Sequence, residues 1–285
     1  MESILYSTLV LGGLGLAFGL LLAFAAKKFF VYVDPRIEEV RSRLPGVNCG
    51  ACSFEGCDVY AENVVAGKAP INRCPVGGAE VVEALARIMG TDATPGARMV
   101  ASVRCRSVCS PETDAYIYHG VFDCRKAAVL PGGGPRNCAY GCLGFEHCVR
   151  ECDFGAISMR NGIAAIDRDL CVGCGKCVAE CPRGVIELIP ASQPVRLACN
   201  NPEKGGHLRE ICSVCCIGCG LCAKLCPEKA IAMDRNLPVI DPALCTGCGT
   251  CAERCPMKSI LFTRSTSVPQ LQAEKEQPAA RETRE

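Results

Sequence analysis

Tryptophan is absent from the chain, and aromatic residues of every kind make up only 5% of its 285 residues. That leaves little bulky material for a large hydrophobic core and excludes a standard Rossmann or barrel enzyme. Excess charge is missing too: the net charge of +1 gives no reason to expect nucleic acid as a partner. Catalytic signatures are lacking: there are no paired carboxylates, no nucleophile beside a base and no dinucleotide fingerprint. The glycines of Pro131-Gly-Gly-Gly-Pro135 are not followed by the Lys-Ser/Thr of a phosphate-binding loop, so they read as a turn. What the chain has is cysteine, 26 of them, punctuated by 29 Gly and 18 Pro. Such a density points either to a disulfide-rich secreted protein or to a metal carrier.

The amino terminus decides between these. Residues 4–26 contain no charge, and as a helix they would span about 35 Å, enough for a bilayer core of about 30 Å. Only Met1, Glu2 and Ser3 precede the run, so it lacks the positive leader of a signal peptide and reads as an uncleaved anchor. Lys27 and Lys28 follow it at once, which places the remainder in the cytoplasm by the positive-inside rule. That compartment is reducing, and thiols there favour metal over disulfides.

Composition then divides the chain. Residues 1–30 form the transmembrane anchor, 31–90 a small four-cysteine domain and 91–136 a cysteine-containing connector. Residues 137–190 and 191–262 are two copies of one module, and the polar, aperiodic 263–285 reads as a disordered tail. The duplication is visible by superposition: Cys138, Cys142, Cys148 and Cys152 match Cys212, Cys216, Cys222 and Cys226. Upstream, the β-like stretch around Val103-Arg104-Cys105 resembles the one ending at Cys199.

The strongest motif is Cys-x2-Cys-x2-Cys-x3-Cys-Pro, at 171/174/177/181, 216/219/222/226 and 245/248/251/255. Three thiolates of such a run grip one cubane, and the fourth, before Pro, crosses to the other cluster of the pair. The expected sets are Cys216, Cys219, Cys222 with Cys255; Cys245, Cys248, Cys251 with Cys226; and Cys171, Cys174, Cys177 with Cys152. Structural zinc pairs two Cys-x2-Cys knuckles across a spacer and does not repeat this pattern. A fourth run is irregular, with Phe145 where a middle cysteine is expected and Asp153 in place of Pro. Cys142, Cys148 and Cys181 supply three ligands there; Cys138 is taken as the fourth, with His147 as the alternative. Cys49, Cys52, Cys57 and Cys74 close a self-contained site whose spacing suits a cubane or zinc alike. Five sets result, and Cys105, Cys109, Cys124, Cys199, Cys212 and Cys215 remain as inert thiols or as donors to a sixth cluster.

The order of apolar helix, LPGVNCGACSFEGC…CPVGG, NCAYGCLGFEHC and paired ferredoxin runs resembles the B subunit of the Rnf-type ion-translocating ferredoxin:NAD+ oxidoreductases, over about residues 1–262. The resemblance implies a 4Fe-4S cluster on Cys49, Cys52, Cys57 and Cys74. It also implies reduced ferredoxin as electron donor, and membrane partner subunits that link the flow to Na+ or H+ movement and NAD+ reduction. The chain departs from the family pattern at Asp153 and at Cys215, where Pro and Gly are expected. The alternative is a polyferredoxin subunit of another membrane hydrogenase or dehydrogenase; a zinc-stapled scaffold is the third reading. The expected fold is α+β: one transmembrane helix, a small four-cysteine iron–sulfur domain and two bacterial-ferredoxin-like modules.

Overall fold

A computed structural model describes residues 2–29, 34–92, 94–107 and 114–263. Cys109 and the tail from residue 264 lie outside the described residues. Helix α1 (Glu2–Lys28) carries its Leu and Phe side chains from Leu9 onward open on all sides, with Leu11 70% and Phe24 68% exposed. Its stretch from Thr8 to Lys28 is long and apolar enough to cross a membrane.

The next three helices build the small domain. Asp34 starts α2 (Pro35–Arg43) by accepting the amide of Arg36 at 2.9 Å, and Pro35 occupies the first turn, where no amide is needed. Helices α3 (Cys57–Val65) and α4 (Gly78–Met89) pack on it through Val40, Tyr60, Ala61, Val64, Val82 and Leu85, all buried. Gly90, at φ +62°, ends α4 in the left-handed conformation that glycine adopts without strain. Arg41 pairs with Asp58 across α2 and α3.

Two modules of the same plan follow. In the first, β1 (Met99–Val103) is followed by α5 (Cys124–Ala128), a 3-10 turn at Pro131–Gly133 and α6 (His147–Arg150). Then come β2 (Ile157–Arg160), β3 (Ile163–Ile166), α7 (Lys176–Glu180) and β4 (Ile186–Pro190). The second has β5 (Val195–Leu197), α8 (Leu208–Ile211), α9 (Leu221–Leu225), β6 (Ile231–Asp234), β7 (Leu237–Ile240), α10 (Thr250–Glu253) and β8 (Ile260–Phe262). In each, the first and last strands form an outer antiparallel ribbon, β1 with β4 and β5 with β8, around an inner hairpin, β2–β3 and β6–β7. Met99 pairs with Pro190, so the stretch read as a connector contains the first module's opening strand. The cores are small and rich in cysteine: Val100, Ile157, Val185 and Ile186 pack with Cys142, Cys171 and Cys177, and Val195, Leu197, Ile231 and Ile260 with Cys216 and Cys251.

Candidate metal centres

The described cysteines are free thiols. Each regular run turns through left-handed glycines and then enters a short helix: Gly175 (φ +82°) precedes α7, Gly220 (φ +69°) precedes α9 and Gly249 (φ +81°) precedes α10. The helix carries the last cysteine beyond its own loop, with Cys181 and Cys226 as the capping residues of α7 and α9. Gly173 seats its loop on the outer ribbon, since a Cβ there would lie 2.4 Å from the carbonyl oxygen of Met99. Gly247 does the same against Pro194 in the second module, with a Cβ 2.6 Å from the ring.

Four cavities are each walled by four thiols. One gathers Cys152, Cys171, Cys174 and Cys177; another Cys216, Cys219, Cys222 and Cys255; a third Cys226, Cys245, Cys248 and Cys251. These are the three crossed sets expected from spacing. Burial, reinforced by the neighbouring thiols, pushes Cys177 up to about 12 and Cys222 and Cys251 up to about 11. Hydrogen bonds reach several sulfurs: the amide of Ala101 donates to Cys171 Sγ at 3.3 Å, and Cys255 Sγ lies 3.4 Å from Ser259 Oγ. No group of three or more His, Cys, Asp or Glu among the described residues forms a single-ion site. The thiols line cavities instead of meeting at a point, and sulfur-directed amides accompany them. That donor set fits a 4Fe-4S cubane better than a lone zinc ion.

The fourth cavity differs from the sequence expectation in one thiol. It is walled by Cys142, Cys148 and Cys181 as expected, but the fourth thiol is Cys124, and Cys138 lines a different cavity. Burial raises Cys148 to about 12, and the thiols it feels are Cys142, Cys124, Cys181 and Cys177. The physical reason is Phe145, which stands where a middle cysteine was expected. Its ring stacks on Tyr118 at 5.1 Å and meets Phe122 edge-on at 5.4 Å. That aromatic contact draws in the segment ending at Cys124. Asp123 caps α5 by accepting the amides of Arg125 and Lys126, which fixes Cys124 at the first helical position. His147 faces Asp123 through Nδ1 at 2.8 Å and Glu180 through Nε2 at 3.0 Å, so both ring nitrogens are engaged with carboxylates. Asp153, in place of the usual Pro, pairs with Lys176 Nζ at 2.7 Å.

In the small domain Cys52, Cys57 and Cys74 pack against one core. Asn48 accepts the amide of Cys57 through Oδ1 at 2.8 Å, and the amide of Gly77 donates to Cys74 Sγ at 3.4 Å. Burial raises the Cys74 thiol, with Cys52 and Cys57 among its neighbours. Cys49 is felt by Cys174, which places this domain beside the first module.

Comparison with known proteins agrees with this chemistry. The FeS family of Fe-S cluster domains matches residues 44–76, a 4Fe-4S binding domain family matches residues 163–186, and a 4Fe-4S dicluster domain family matches residues 215–259. The chain is 45% identical over 242 residues to the B subunit of the Na+-translocating ferredoxin:NAD+ oxidoreductase complex of Acetobacterium woodii, covering 85% of this chain and 72% of that one. It is 42% identical to the B subunit of the proton-translocating ferredoxin:NAD+ oxidoreductase complex of Clostridium ljungdahlii, covering 86% of each. The B subunit of the ion-translocating oxidoreductase complex of Methanosarcina acetivorans is 42% identical, over 75% of this chain and 81% of that one. With 4Fe-4S domains, thiol-walled cavities and one membrane-length helix, the chain belongs to the B-subunit family of the ion-translocating ferredoxin:NAD+ oxidoreductase complexes, as an electron-transfer subunit.

Proposed function

We propose that this chain is the electron-entry subunit of its complex: held on the cytoplasmic face by α1, it takes electrons from reduced ferredoxin and passes them to membrane partners that couple NAD+ reduction to Na+ or H+ translocation. The observation that carries this reading is the set of crossed thiol cages: three join three thiols of one run to one from elsewhere, and the fourth joins Cys142 and Cys148 to Cys181 of the next run and Cys124. A 4Fe-4S cluster bound in such a cage supplies one-electron exchange at low potential. The ligand sets proposed are Cys49, Cys52, Cys57 and Cys74; Cys152, Cys171, Cys174 and Cys177; Cys124, Cys142, Cys148 and Cys181; Cys216, Cys219, Cys222 and Cys255; and Cys226, Cys245, Cys248 and Cys251.

The chain's own residues do the rest. Buried apolar side chains such as Val100, Ile157 and Ile186 keep water from the first module's cages. Cys219 and Cys248 are exposed, so the second module's cages reach the surface, where a docked ferredoxin can approach them. The small domain lies closest along the chain to α1, at the membrane end. Membrane vesicles from cells that lack this chain should fail to reduce NAD+ with reduced ferredoxin, and should recover on its return. Vesicles that keep their full rate without it would overturn the proposal.

A further inference from the structure

Once Cys124 takes its place with Cys142, Cys148 and Cys181, the cysteines outside the five sets are Cys105, Cys109, Cys138, Cys199, Cys212 and Cys215. All of these among the described residues (every one but Cys109) line a single cavity between the two modules. Its open space, solvent at the mouth included, is about 610 Å³, against about 360 Å³ on the same measure for the cavity walled by Cys124 and Cys181, so it is the roomier of the two.

The duplication explains who meets there. Cys105 follows β1 as Cys199 follows β5, and Cys138 precedes Cys142 by the same interval as Cys212 precedes Cys216. Each module therefore offers the same two positions to a shared cavity. A Cβ at Gly141 would lie 3.5 Å from Cys138 Sγ and 3.6 Å from Cys105 Sγ, so these two sulfurs flank one glycine. Across the junction, Cys138 has Cys199 and Cys212 as neighbours. Cys215 differs: it occupies the repeat position of Gly141, and its Sγ donates to the carbonyl oxygen of Leu208 at 3.4 Å.

The surroundings are those of a charged group. Amides of Tyr140 and Gly141 donate toward Cys138, and those of Cys142 and Ser107 toward Cys105. Asn201, buried, aims its amide at Cys138 Sγ from 4.0 Å. Arg104, Arg106 and Arg136 line the cavity; Arg104 also pairs with Glu187 at 3.5 Å and Arg136 with Asp114 at 2.7 Å, while Arg104 Nε is buried without a hydrogen-bond partner among the described residues. Inert core thiols need neither amides nor guanidinium groups. Four thiolates around an iron–sulfur cubane carry net negative charge, which both offset. The junction is also pinned, by Arg106 Nη1 donating to Lys258 O at 2.9 Å and Asn200 Nδ2 to Arg183 O at 3.1 Å.

We propose that Cys105, Cys138, Cys199 and Cys212, two from each module, hold a sixth 4Fe-4S cluster at the junction. The proposal rests on reading the chain as a cluster carrier and adds a site to it. Cys105 neighbours Cys142 of one set and Cys199 neighbours Cys216 of the next, so the site stands between the two modules' cages. Its chemistry would be one-electron exchange alone, the site gaining the electron that a reduced neighbour loses, with the four thiolates staying bound.

The test counts iron and zinc in the full-length, anaerobically reconstituted protein, in Cys215→Ala and in the double variant Cys138→Ala with Cys212→Ala. The expected result is about 24 iron atoms per chain in the parent and in Cys215→Ala, and about 20 in the double variant, at four per cubane. A parent near 20 irons, with or without one zinc, or a double variant with undiminished iron, overturns the proposal and leaves the carrier reading standing. A parent without iron overturns the carrier reading itself. If the double variant does not fold, the single Cys105→Ala variant decides by EPR. A three-iron signal in its oxidised form, absent from the parent, is expected; an unchanged spectrum overturns the proposal.

Discussion

Asp123 accepts the amides of Arg125 and Lys126 through Oδ1 and meets His147 and Arg150 through Oδ2. Burial alone would raise its pKa, but the amide of Lys126 and the His147 ring outweigh it and hold the carboxyl at about 2. That lies below the unfolded value of about 3.9, so its stabilisation is complete above about pH 4 and is lost as pH falls toward 2. Asp123→Ala should cost about 1 kcal/mol at neutral pH through the lost helix cap, read as a lower denaturation midpoint, whereas Asp123→Asn should keep much of the cap. The thiol it positions gives a sharper test. Cys124→Ala should leave a three-iron or labile centre in the cage of Cys142, Cys148 and Cys181, while Cys138→Ala should spare that centre in EPR of the reduced protein. The opposite pattern would restore the ligand expected from spacing. Cys124 was not legible in the sequence because no motif spacing ties it to Cys142. What ties it is the packing of Phe145 on Tyr118 and Phe122, which only the folded chain displays.

At the scale of elements, the short helices after Gly175, Gly220 and Gly249 explain why the regular runs were readable: spacing and Pro alone encode where the last thiol goes. Cys226→Ala should therefore damage the cluster of Cys245, Cys248 and Cys251, and Cys255→Ala that of Cys216, Cys219 and Cys222. Complementary EPR losses are expected; loss of each mutant's own run would refute the crossing. The outer ribbons were harder to read, because strands of three to five residues leave too short a pattern. The likeness between the stretches ending at Cys105 and Cys199 was visible, but pairing of β1 with β4 across the whole module was not. Gly173 joins those levels. Gly173→Ala forces a left-handed alanine into the carbonyl of Met99, at a cost of at least about 1–2 kcal/mol. Anaerobic denaturation of the loaded protein should show the drop.

For the whole molecule, the thiol sets lie side by side within each module. Cys174 has Cys49 as a neighbour, Cys148 has Cys177 and Cys222 has Cys251, so the small domain adjoins the first module's cages and the two cages within each module share a boundary. The long apolar helix at one end was legible from composition alone, since a charge-free run closed by Lys27 and Lys28 needs no tertiary context. An impermeant thiol or amine reagent applied to intact cells should therefore fail to label engineered sites in residues 40–262. Efficient labelling would reverse the orientation. That reduced ferredoxin hands its electrons to this protein is tested most directly by rapid anaerobic mixing of the isolated, cluster-loaded chain with reduced ferredoxin. The account predicts prompt bleaching of the chain's visible iron–sulfur absorption, matched by reoxidation of the ferredoxin; a chain that dithionite bleaches but reduced ferredoxin leaves unchanged would contradict it.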